Sequence, residues 1–135
     1  MSACPEGIRR VEIGKEIWME KCFKVSGTNM VIEVPKELDH HSAEYIREEA
    51  DRILSERNIR SIVFDFAKTS FMDSSGIGMI MGRYKSIRFL GGKVIAVRVN
   101  EQVKRILILS GVYKVIDIYE GMPGQVKPLE RGKRE

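Results

Sequence analysis

From residue 22 onward the apolar positions form short alternating or β-branched runs, separated by longer stretches in which they recur every three or four residues. The first kind of run suits a strand and the second an amphipathic helix. Cys22-Phe23-Lys24-Val25 and Met30-Val31-Ile32-Glu33-Val34 flank Ser26-Gly27-Thr28-Asn29, whose composition suits a tight turn, so a β-hairpin is predicted. Pro35 ends its second strand, and Lys36 to His41 lead into a helix with Ala43, Ile46, Ala50, Ile53 and Leu54 on one face. Asp39, His41 or Ser42 caps it. Ser61-Ile62-Val63-Phe64-Asp65-Phe66 is a run of strand length; Ile77, Ile80, Met81, Tyr84 and Ile87 then mark a helix face expected to pack on a sheet. This helix runs to about Leu90, where Gly91-Gly92 is a stop signal. Lys93 to Val99 reads as a strand, Asn100 caps a helix with Val103, Ile106 and Leu107 on its face that ends at Gly111, and Val115 to Tyr119 is a short final strand.

A hairpin followed by three helix–strand units predicts one α/β domain: a mixed β-sheet of about five strands with helices packed on it, since each parallel crossover needs a helix. Residues 1–21 are an extension without strong periodicity, in which Ile8, Val11, Ile13, Ile17 and Trp18 supply one strand and a short amphipathic turn. An added edge strand, a partner contact and packing over the sheet all stay open as its role. Residues 121–135 are punctuated by Gly and Pro, and Arg131, Lys133 and Arg134 sit close together. They are expected to form a flexible basic tail that folding does not require.

Composition narrows the classes. A chain of 135 residues favours one domain, and a globule of that size hides roughly two-thirds of its unfolded surface. No run approaches the roughly 20 apolar residues of a membrane span, and the first residues lack the basic-then-apolar pattern of a secretory signal. A cytoplasmic protein without a membrane partner is expected. Cys4 and Cys22 are too few for a disulfide framework and join no zinc-spaced cluster, so free thiols are expected. The net charge of +4 is interleaved with Glu and Asp except in the tail, so no nucleic-acid partner is expected.

The chemistry concentrates in Phe71-Met72-Asp73-Ser74-Ser75-Gly76-Ile77-Gly78, a polar turn between an apolar strand and an amphipathic helix. Asp73 and Ser74 are both N-cap types. Gly76 and Gly78 would let a partner backbone or a phosphoryl group approach the helix end. Glu37-Leu38-Asp39-His40-His41 opens the first helix and should lie at the same end of the sheet.

At these residues the sequence resembles the STAS domain family and, within it, the sporulation-type anti-sigma factor antagonists, also called anti-anti-sigma factors. Three stretches carry the resemblance: Glu37 to Glu44; Phe71 to Gly76 with Gly82-Arg83-Tyr84-Lys85; and Val103-Lys104-Arg105 with Ser110-Gly111. Together they span a domain over residues 22–120. The resemblance implies a non-enzymatic transcription regulator that works by partner switching. It implies phosphorylation of the first serine of the turn, Ser74, by an anti-sigma factor that is an ATP-dependent serine kinase. Ser75 is the alternative acceptor, with its hydroxyl expected to turn inward and cap. A phosphatase resets the switch. Asp39 and His40 are implied to meet the kinase together with Asp73, Ser75, Gly76 and Gly78. No cofactor or metal is implied, and a monomer or weak dimer is expected. The chain departs from its relatives at Lys36, where glycine is common, and after residue 120, where they carry one more helix.

Two rival readings come from other classes. A small serine hydrolase would use Ser74 with His40 or His41 as base and Asp73 or Asp39 to orient it, but no Gly-x-Ser-x-Gly elbow is present. A STAS scaffold subunit of a larger signalling assembly would use the same fold without regulating a sigma factor. The spacing of Gly76, Gly78 and Gly82 misses the dinucleotide-binding fingerprint. Tyr84 is expected in the core, with Arg83 and Lys85 on a solvated face.

Overall fold

The computed structural model describes residues 22–121, together with the strands at 11–13 and 16–20. Four antiparallel strands come first: β1 (Val11–Ile13), β2 (Glu16–Glu20), β3 (Phe23–Ser26) and β4 (Asn29–Glu33). Then follow β5 (Glu37–Leu38), α1 (His40–Glu56), β6 (Ser61–Asp65), β7 (Phe71–Met72), α2 (Ser74–Arg88), β8 (Lys93–Val97), α3 (Glu101–Leu109), a 3-10 turn (Val112–Lys114) and β9 (Asp117–Ile118). The main sheet has the order β1-β2-β3-β4-β6-β8-β9, with β4, β6, β8 and β9 parallel. Its last five strands are those expected from the hydrophobic pattern, and the N-terminal pair extends the sheet beyond β3.

The crossovers through α1, α2 and α3 each advance one strand in the same direction, which puts right-handed connections on one face. Two cross-strand rows line that face: Phe23, Ile32, Phe64, Ala96 and Ile118, and beside them Val25, Met30, Ile62 and Val94. All are buried, and Ile46, Ala50, Ile53, Ile80, Ile87, Val103 and Leu107 of the helices join the same core. Removing a large aliphatic side chain from water contributes roughly 1.5–3 kcal/mol, so these rows are the main source of stability.

The buried face of α2 differs from the expected one. Gly76, Met79, Ile80, Arg83 and Ile87 are buried, whereas Ile77, Met81 and Tyr84 are partly buried against the core. The shift arises because α2 packs on α1 as well as on the sheet, and the arc hidden by both lies about one residue off the purely apolar stripe. Arg83, expected on a solvated face, sits in this arc opposite Asp51 of α1. A further correction concerns Cys22, which is disulfide-bonded rather than free. Arg98 N–H still donates to Gly121 C=O at 3.1 Å, and Lys104 pairs with Glu120. Cys4 and residues 122–135 lie outside the described residues.

Candidate functional site

Two helix N-termini are held side by side by the smallest elements in the fold. β5 and β7 form a separate parallel pair with Glu37 opposite Phe71 and Leu38 opposite Met72. Asp73 N–H also donates to Leu38 C=O at 3.1 Å, and Ser70 N–H to Lys36 C=O at 2.8 Å. Each of these strands runs directly into a capped helix, so the Asp39 and Asp73 corners are neighbours at one end of the sheet. The buried Thr69 hydroxyl donates to Pro35 C=O at 3.0 Å, and Asn100, which caps α3, donates to Thr69 C=O at 2.6 Å. The approach to the second corner is therefore pinned from both sides. Neither Thr69 nor the two-residue strands carried a sequence signal, since a two-residue strand shows no period.

Asp73 is the N-cap of α2: its Oδ1 accepts from Ser75 N–H at 2.8 Å and from Gly76 N–H at 3.3 Å. Ser74 is the first residue of the helix and is exposed. Ser75 is half-buried and turns toward α1, where its hydroxyl lies 3.4 Å from His40 Nδ1 instead of capping. Asp39 caps α1 in a reciprocal box, with Oδ1 accepting from Ser42 N–H at 3.0 Å while Ser42 Oγ accepts from Asp39 N–H at 3.1 Å. These Ser42 hydrogen bonds hold the Asp39 carboxyl below its ordinary pKa.

The two glycines do different things. A Cβ on Gly76 would lie 2.8 Å from Leu38 Cδ2 and from Met72 Cγ, so this position is filled by the strand pair beneath the corner. Gly78 is open, with nothing within 4 Å of where a methyl would sit. Together with His40, Ala43, Glu44, Arg47, Ser75 and Met79 it lines a shallow groove of about 100 Å³ between α1 and α2. Phe71, three residues before Ser74, is 49% exposed beside buried Met72 and adds an apolar contact that the sequence pattern did not single out.

The two corners leave Phe71, Ser74, His40 and Gly78 exposed at two helix N-termini. The helix dipoles there favour negative charge. Among the described residues Ser74 has no histidine against it; His40 meets Ser75, and no carboxylate hydrogen-bonds to His40. The triad that a hydrolase needs is not assembled around Ser74.

Comparison with known proteins places this geometry in context. Residues 22–122 match the family model described as STAS domain. An anti-sigma F factor antagonist from Paenibacillus polymyxa is 37% identical over 101 residues, covering 75% of this chain and 86% of that protein. A putative anti-sigma factor antagonist from Thermotoga maritima has the same fold with a TM-score of 0.66 at 24% identity, covering 74% of this chain and 86% of that one. The Bacillus cell fate determinant SpoIIAA in its phosphorylated form matches with a TM-score of 0.58 at 23% identity, covering 83% and 90%.

Proposed function

This chain belongs to the STAS domain family, and on that premise we propose that it is an anti-sigma factor antagonist switched by phosphorylation of Ser74. Unphosphorylated, it binds an anti-sigma serine kinase through the surface of Asp39, His40, Phe71, Ser74 and Gly78, and so releases a sigma factor. Phosphorylated, it lets go. The protein acts by binding rather than by turnover; ATP belongs to the kinase, and a phosphatase restores the serine.

The observation that carries the reading is the exposed Ser74 at the first position of α2, beside the second helix N-terminus capped by Asp39. A phosphoserine adds about −1.5 to −2 charges, which the amides and dipole of a helix N-terminus tolerate. The fold survives while the centre of the contact surface changes sign. Desolvating that charge and meeting acidic groups on the kinase weakens the complex, and a loss of about 3 kcal/mol lowers affinity more than a hundredfold.

Titration calorimetry with the anti-sigma kinase encoded in the same genome tests this. Ser74→Asp is expected to keep the wild-type melt and far-UV dichroism while binding at least about a hundredfold more weakly. Equal affinity of the two proteins would refute the reading.

A further inference from the structure

Arg83 is a charged side chain buried between two helices. Its side chain is 7% exposed in the seam between α1 and α2, and its Nε lies 3.0 Å from Asp51 Oδ1. The N–H does not point along that line, so neither Nε nor Nη1 makes a hydrogen bond. Burial pulls the Arg83 pKa below the ordinary arginine value; Asp51 opposes that shift and Arg47 adds to it. Asp51 itself is 43% exposed and also lies 3.9 Å from Arg47. Asp51 is half-exposed, so an apolar side chain of similar volume in place of Arg83 removes a desolvated guanidinium without leaving a buried unpaired charge, and bulk stability does not account for a guanidinium here.

Its place in the seam does. At the top, Ser75 Oγ meets His40 Nδ1 at 3.4 Å. In the middle, Ala43 of α1 and Gly78 and Met79 of α2 line the shared groove. A methyl, a missing side chain and a flexible thioether resist sliding or rotation poorly, because Met adapts its shape to whatever faces it. At the bottom, the ion pair of Asp51 and Arg83, 3.0 Å apart, is the charged contact across the seam. Along α1 a chain of charges joins the two ends: Arg47 pairs with Glu44, one turn from His40, and reaches Asp51 one turn further on.

We propose that Arg83 is a positioning residue: through Asp51 it sets the register of α2 against α1, and thereby holds the Ser74 corner in line with the Asp39–His40 corner. This rests on the reading of those two corners as one surface presented to the kinase. A helix that slips against its neighbour still folds, but offers the two halves of that surface out of alignment.

The test compares Arg83→Met, Arg83→Lys and Asp51→Asn in the full chain. Arg83→Met is expected to melt within about 2 °C of wild type or higher, while its KM for phosphorylation by the anti-sigma kinase rises about tenfold with little change in kcat. Arg83→Lys is expected to restore most of the loss. Asp51→Asn should reproduce it, without adding to Arg83→Met in the double variant. An Arg83→Met protein with unchanged KM, or one that loses stability while Arg83→Lys and Asp51→Asn phosphorylate normally, would overturn the proposal. A readout that needs no kinase separates this idea from the functional reading it rests on. Nuclear Overhauser contacts between the His40 ring and the Ser75 β-protons are expected in wild type and weakened in Arg83→Met and Asp51→Asn. Equal contacts in all three proteins would refute the register role whatever the kinase does.

Discussion

Gly76 and Gly78 sit two residues apart in the same helix, and alanine at each should have opposite effects. Either substitution removes a glycine from a helix interior, a gain of about 0.8–1 kcal/mol from propensity alone. At Gly78 nothing lies within 4 Å of the new methyl, so the gain stands unopposed. At Gly76 the methyl would lie 2.8 Å from Leu38 Cδ2, 2.8 Å from Met72 Cγ and 2.9 Å from Leu38 Cγ. The Cγ atoms are one bond from their Cβ, so they move only if the whole rotamer or the strand moves, and both side chains are buried in the core. Overpacking of this kind typically costs about 1–3 kcal/mol. Gly78→Ala should therefore be more stable than wild type, and Gly76→Ala should fall below Gly78→Ala by about 1–3 kcal/mol. For a domain of this size that separates their melting temperatures by roughly 4–12 °C. Thermal melts followed by far-UV dichroism measure the gap. Because Leu38 and Met72 precede the two caps, Gly76→Ala should also weaken kinase binding. Two variants that melt together would show that the strand pair is not packed under the corner as described.

Ile80 is fully buried beneath α2, and Ile80→Ala should cost about 2–5 kcal/mol and lower the melt clearly; an unchanged melt would contradict the burial. The depressed pKa of Asp39 means that its contribution is full above the ordinary carboxylate range and is lost as pH falls through the lower folded value. Asp39→Asn keeps an N-cap but cannot titrate, so its melting temperature should fall less steeply than that of wild type between about pH 4 and pH 2. Arg98 has a left-handed backbone with φ 53° and pairs through Nε and Nη2 with the buried carboxylate of Asp65. Arg98→Ala loses the pair and keeps the strain, whereas Arg98→Gly relieves the strain, so chemical denaturation should find the glycine variant about 1 kcal/mol the more stable.

The parts of the fold that were legible are those encoded locally. Asp39, Asp73 and Asn100 each cap the helix that follows through a side-chain oxygen, and the left-handed glycines at 91 and 111 lie just past the ends of α2 and α3. The helix–strand alternation from β4 to β9 followed from period alone. What was not legible depends on which elements meet. The rotation of the buried arc of α2 and the burial of Arg83 follow from contact with α1, which no periodicity within α2 reports. The pairing of β5 with β7 joins segments more than thirty residues apart, each two residues long. At the site, Ser74 and its neighbours were readable as a helix start, and the resemblance singled out Ser74. The exposed Phe71 and the turning of Ser75 toward His40 required the folded corner.

Residue-level mass spectrometry after incubation with the anti-sigma kinase and ATP reads the proposed Ser74 switch directly. Wild type is expected to carry one phosphate on Ser74. Ser75→Ala should be modified at the same position, and Ser74→Ala should stay unmodified and remain bound to the kinase. Phosphate on Ser75 would move the switch by one residue into the groove against His40, and phosphate on neither serine would contradict the mechanism.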